Sequence, residues 1–264
     1  MATSVFLPDL HRVGGLRWTQ STGGALTPAE ERRLLGAAAR GLATTLTARL
    51  WMRTGRIPDT AAHLTLTDFR PPDSAFAASV QEACAEQAPA WQAHSYRTWI
   101  FGRALAVVDG VDHDLDPELF YASALLHDHG IANVVPGEDF TLRSAERARR
   151  CAEHAGLPGD ASTAVQDAIT VHLTPGLTVA RDGALGTYVQ RGALLDLAGA
   201  RAGDLPRALR RQAAAAHERG DVCKDEIPAV NAQCHATPRG RIAFARRCGL
   251  TLGMRWSPLR NDVA

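Results

Sequence analysis

Residues 89–110 read PAWQAHSYRTWIFGRALAVVDG, a proline-initiated run that stays apolar on nearly every helical face. A helix without a polar side belongs at the centre of a fold, because any solvent-facing stripe would expose large apolar area. Working outward, Asp116-Pro117-Glu118 opens a second such run, LFYASALLHDHG at 119–130. It has an Asp cap, Pro in the first turn and acid near the positive end of the helix dipole. Its apolar stretch predicts a helix that stops at Gly130. Towards the amino end, Thr27-Pro28-Ala29-Glu30 is a capping box with Pro at the first helical position, predicting a helix to about Arg53. A short helix is expected over 74–87, and further ones over about 141–155, 160–172, 184–198, 205–219 and 238–248. Residues 55–72 show no helical stripe. Strand alternation is almost absent outside Ile169–Val171. The reading is all-α: a single helical bundle over 26–264, its core about 90–245, preceded by an irregular amino-terminal arm over 1–25.

Within these apolar helices sit side chains that burial penalises. His94 lies on the central run, with Arg97 at i+3 on the same face. His127-Asp128 follows a buried Leu-Leu pair, and Asp196 interrupts the apolar stretch RGALLDLAGARAGD at 191–204. Each has a plain structural alternative: a hydrogen-bonded core histidine, a polar helix end, a salt bridge between Arg97 and a carboxylate. Taken together, three helices each insert imidazole or carboxylate into apolar surroundings, where unpaired charge is costly. Two imidazoles and two carboxylates form a mixed N/O set suited to Zn²⁺, Fe²⁺ or Mn²⁺. His172 closes another apolar helix, and His129 stands one residue past the His-Asp pair. Either could serve a site, and His129 could equally be a surface imidazole.

Composition narrows the function. The chain has 264 residues, 45% hydrophobic and 22% charged, which is ordinary for a globular protein. Its 29 basic and 28 acidic side chains leave a formal charge of +1, which disfavours a nucleic-acid face as the main purpose. The arginine clusters at 143–150 and 207–211 read as solvated helix faces. Five widely spaced cysteines contain no CxxC pair, so neither a disulfide framework nor a zinc knuckle is expected, and a reducing cytoplasm fits. No apolar run reaches the roughly 18 residues of a membrane span, and the amino end shows no signal-peptide pattern.

The order His94, His127-Asp128, Asp196 resembles the HD-domain superfamily of metal-dependent hydrolases over about residues 90–245. The segments HSYRTWIFG, ASALLHDHG, FTLRSAERA, DAITVHL, GALLDLAGAR and TPRGRIAFARRCG follow in an order similar to its cyanamide-hydratase-like branch. The resemblance implies an HD-type helical bundle in which His94, His127, Asp128 and Asp196 hold one divalent metal ion, zinc ahead of iron or manganese. It also implies hydration or hydrolysis of a small nitrogen-containing molecule, cyanamide- or nitrile-like, by metal-activated water. Asp128 and Arg97 would then act on substrate or water, with His172 and His129 as proton carriers. The chain departs from signalling-nucleotide members of the superfamily, which follow HD with a phosphate-binding lysine; here the run is His127-Asp128-His129-Gly130-Ile131. Three other functions stay open at this point: a nucleotide phosphohydrolase clamping phosphate with Arg97, a dinuclear-iron oxygenase using further histidines, and a non-catalytic helical binding protein. The expected partner is a small-molecule substrate, with neither nucleic acid nor membrane, and self-association is left open.

Overall fold

A computed structural model of the chain describes residues 6–261. The fold is all-α. Among the described residues the only β pairing is an isolated bridge between Ala25 and Gly240. The helices are α1 (Leu16–Thr22), α2 (Pro28–Thr54), α3 (Ala75–Cys84), α4 (Pro89–Val108), α5 (Pro117–Leu126), α6 (Phe140–His154) and α7 (Gly159–Val171). They continue as α8 (Val179–Asp182), α9 (Ala184–Ala198), α10 (Arg207–Ala216), α11 (Val222–Asp225), α12 (Ile227–Ala236), α13 (Arg241–Arg247) and α14 (Leu250–Arg255). No helix among them is long and apolar enough to cross a membrane.

The central pair is α4 against α9, the most extensive helix–helix contact in the molecule. Two glycines permit it. A Cβ on Gly192 would lie 2.2 Å from the carbonyl oxygen of Thr98, and one on Gly102 would lie 2.6 Å from that of Tyr188. The backbones therefore touch at both positions, an approach only glycine allows. The pairs Gly102–Tyr188, Thr98–Gly192 and His94–Asp196 step one helical turn at a time in opposite directions along the two helices. The antiparallel register that the glycines fix is what delivers Asp196 to His94.

Helix starts follow the sequence punctuation. The Thr27 hydroxyl accepts from the Glu30 amide while the Glu30 carboxylate accepts from the Thr27 amide, completing the capping box of α2. Asp116 accepts from the Glu118 and Leu119 amides at the start of α5. Two readings need correction. The arm over 1–25 is not wholly irregular: α1 occupies Leu16–Thr22 and stops at Gly23, whose φ of 61° ends the helix. Arg12 ties this arm down through Asp167 and Asp182 at 2.7 and 3.0 Å. The second helix ends at Leu126 rather than Gly130, and residues 127–130 form a turn. In addition α8, α11, α12 and α14 form in regions where the sequence pattern predicts no helix; each is short and lacks a clear apolar stripe.

Helix α2 differs from the rest. Only Thr45 and Ala48 of its 27 residues are buried, so it lies along the outside of the bundle. All five cysteines are free thiols.

Candidate metal centre

Four helices bring the site together. His94 comes from the second turn of α4, His127-Asp128 from the end of α5, His172 from the end of α7 and Asp196 from the last turn of α9. His94, His127 and Asp196 are completely sealed from solvent, and Asp128 and His172 are 5% and 6% exposed.

The three imidazoles are oriented alike. His94 Nδ1 donates to Asp196 Oδ2 at 2.7 Å, His127 Nδ1 to the Ala124 carbonyl at 2.7 Å, and His172 Nδ1 to the Ile169 carbonyl at 2.6 Å. Each partner is an acceptor, so each Nδ1 carries the proton and each Nε2 presents a lone pair. Those Nε2 atoms turn inward. His94 Nε2 lies 3.3 Å from His127 Nε2. Asp128 Oδ2 lies 3.6 Å from the first and 3.4 Å from the second, while Oδ1 lies 3.5 Å from His172 Nε2. Backbone carbonyls hold two of the rings because the helices end there: the carbonyls in the last turn lack intrahelical partners.

Nitrogen lone pairs and carboxylate oxygens thus face one another in a dry interior, with the Thr98 hydroxyl, 3.4 Å from His94 Nε2, as the neighbouring donor. Such convergence is unfavourable unless a cation or a proton occupies it. The ligand atoms of His94, His127 and Asp128 lie within 4.8 Å of one another, so this group could hold a metal ion. The protonation states agree. Burial depresses the His94 and His172 pKa values despite the nearby carboxylates, which keeps both rings neutral. Burial also works against the charge of His127, but Asp128 outweighs it and raises that pKa. Asp128 is held well below the usual carboxylate range, its burial overcome by His127 and His172.

Asp196 occupies a different position from the fourth ligand expected of it. Its Oδ1 accepts from Arg97 Nε at 2.7 Å, and its Oδ2 accepts from both Arg97 Nη2 at 2.9 Å and His94 Nδ1. It stands behind His94, on the ring edge away from His127. Arg97 is likewise committed, its remaining Nη1 donating to the carbonyls of His217 and Glu218 at 2.9 and 3.0 Å. It braces Asp196 and has no fork left over for substrate, so the substrate-orienting role gives way to its salt-bridge alternative. His129 is not at the site. Its Nε2 lies 2.9 Å from Glu86 Oε2, and Arg147 pairs with the same carboxylate, drawing the Glu86 pKa down to about 2. His172, by contrast, faces Asp128 directly.

Two residues behind the site carried no sequence signal. Arg219 donates to the Asp196 carbonyl at 2.7 Å. Glu226 is 3% exposed and its Oε2 has no hydrogen-bond partner. Burial, reinforced by the charge of Asp196, pushes its pKa up to about 8. Both lie in short polar connections after α10, where no periodicity marks a buried face.

One side of the centre opens. A cavity of about 480 Å³ includes Asp128 and His172 in its wall and is otherwise lined chiefly by apolar side chains. No family model matches the chain, and no curated protein matches it either.

Proposed function

We propose that this chain is a metal-dependent hydrolase or hydratase that adds water at a carbon centre of a nitrogen-containing molecule, cyanamide- or nitrile-like. One observation carries the reading: three Nε2 lone pairs and both Asp128 oxygens converge in a buried cluster that opens into a cavity. The ordered residues that resemble HD-domain metallohydrolases support it independently.

His94, His127 and Asp128 would hold the metal, zinc ahead of iron or manganese on an imidazole-rich donor set. A divalent ion held there supplies Lewis acidity and lowers the pKa of a water molecule from about 15.7 toward 7. Asp128, kept ionised at neutral pH, accepts a hydrogen bond from the attacking water and fixes its direction. His172 is neutral, and its Nδ1–H is pinned to Ile169, so its Nε2 is free to take the proton that water loses. Returned to the substrate nitrogen, that proton gives an imidic acid, and transfer of the remaining hydroxyl proton from oxygen to nitrogen completes the balance: the nitrile carbon holds the water oxygen, the nitrogen holds both hydrogens of the water, and an amide results. Asp196, backed by Arg97 and Arg219, holds the His94 ring in register.

Attack at carbon is favoured over attack at phosphorus because Arg97, the cation expected to clamp phosphate, is spent on Asp196. Metal analysis of protein purified without added metal tests this. About one equivalent of zinc is expected, and His127→Ala or Asp128→Ala should lose it and melt several degrees lower. Two equivalents of iron would indicate an oxygenase instead. Full metal content and unchanged melting in both variants would sink the site. A panel of cyanamide, small nitriles and nucleoside monophosphates then separates carbon from phosphorus chemistry.

A further inference from the structure

The cavity is far larger than a cyanamide molecule needs. Its volume of about 480 Å³ falls within the roughly 300–1,000 Å³ of sites that enclose drug-sized ligands. Trp91, Phe140, Leu197 and Ile242 form its apolar wall. Few polar groups line it, and most of them are committed: the Thr44 and Thr45 hydroxyls donate to the Arg40 and Gly41 carbonyls at 2.9 and 3.1 Å. Asp128 and His172 are in the wall, whereas Gln190 spends its amide on the carbonyls of His172 and Thr174 at 2.5 and 2.6 Å. Arg191 pairs with Asp109 at 2.6 Å, and Arg40 joins the lining from exposed α2. Helix α2 contributes Ala37, Ala38 and Gly41 to the cavity wall. A Cβ on Gly41 would meet nothing within 4 Å. Neither a turn nor a close packing contact demands that glycine.

We propose that the substrate is an amphiphile: a compact reactive nitrogen-bearing head at Asp128 and His172, carried on a mainly apolar aliphatic or aryl body that fills the cavity lined by α2. The identity of the head rests on the hydrolase reading above, whereas the apolar body rests on the cavity alone. Small residues on α2 would then set the length of body that fits, and a lone cyanamide would leave most of the apolar wall unfilled.

The experiment is calorimetric titration of the zinc-loaded full chain with two homologous series, n-alkyl primary amides and n-alkyl hydroxamates, from two to eight carbons. Burial of each methylene is expected to tighten binding roughly three- to fourfold until the cavity is full, giving at least about a hundredfold between the C2 and C8 members of a series. Gly41→Leu and Ala38→Leu should each remove about tenfold of the C8 affinity, with acetohydroxamate binding unchanged. Affinity independent of chain length in both series would overturn the proposal, as would unchanged C8 binding in both variants. Hydroxamates chelate metals and amides do not. Equal affinity of the two heads at matched length would therefore remove the metal reading and leave the apolar body standing.

Discussion

Two polar clusters are buried inside this bundle, and they are built to opposite plans. In the first, Arg241 is completely buried and meets Asp139 Oδ2 through Nε and Nη2 at 3.2 and 2.8 Å. Its Nη1 donates to the Thr170 carbonyl at 2.5 Å and to the Gly14 carbonyl at 3.3 Å. The other Asp139 oxygen accepts from the Thr141 amide and hydroxyl at 3.0 and 2.7 Å. Donors and acceptors balance, and the cluster ties the amino-terminal arm, α6, α7 and α13 together. In the second, His94, His127, Asp128 and His172 direct acceptors at one another. A balanced buried network is complete as a brace, whereas an excess of buried acceptors calls for a cation from outside.

The largest effect expected from this contrast comes from breaking the balanced cluster. Arg241→Met leaves the Asp139 carboxylate buried without its ion partner, a loss of about 3–5 kcal/mol for such pairs. Chemical denaturation should show that loss, while metal content per folded protein stays at the wild-type level. Loss of the metal along with the stability would mean that the two clusters are coupled and that the division between brace and site is wrong.

Asp196→Asn sharpens the boundary inside the second cluster. An asparagine keeps the shape and one acceptor for His94 Nδ1–H but surrenders the charge that holds Arg97. As a residue that orients a ligand, Asp196 should cost about 10–100-fold in metal affinity on substitution, read by competition with a chromophoric chelator. Complete loss of binding, matching His127→Ala, would return Asp196 to the ligand set that sequence order implied.

That case shows where legibility ends. The helices could be read because their starts are written locally: Thr27-Pro28 with Glu30, Pro89, and Asp116-Pro117. His94 and His127-Asp128 were visible for the opposite reason, as groups that apolar runs should not contain. Burial of Asp196 was equally visible, but which edge of which ring it meets depends on the α4–α9 register, set by two glycines almost a hundred residues apart. His129 misled because neighbours in sequence part company once the helix stops at Leu126; the turn carries the side chain out to Glu86. The short helix α1 has two turns and no side-chain cap hydrogen bond, so nothing local announced it. Arg219 and Glu226 lie in segments whose burial comes entirely from the elements folded around them.

Glu226 supplies the smallest and most discriminating effect. It faces the charges of Asp196, Asp128, Arg97 and Arg219, and unlike the braced carboxylates it has an oxygen without a partner. The folded protein keeps its proton up to about pH 8, against an ordinary value of 4.5. Between those two values the folded state binds more protons than the unfolded chain, so stability falls as pH rises; above the upper value the full cost is present. Glu226→Gln removes that proton linkage while preserving shape. In chelator-treated protein the variant should match the wild type near pH 5 and exceed it increasingly toward pH 8–9, seen as a melting-temperature gap that opens with pH. A gap of constant size would mean that Glu226 is neutralised by the arginines beside it. The back of the metal centre would then be balanced like the Arg241 cluster, and the excess of acceptors would be confined to the side that faces the cavity.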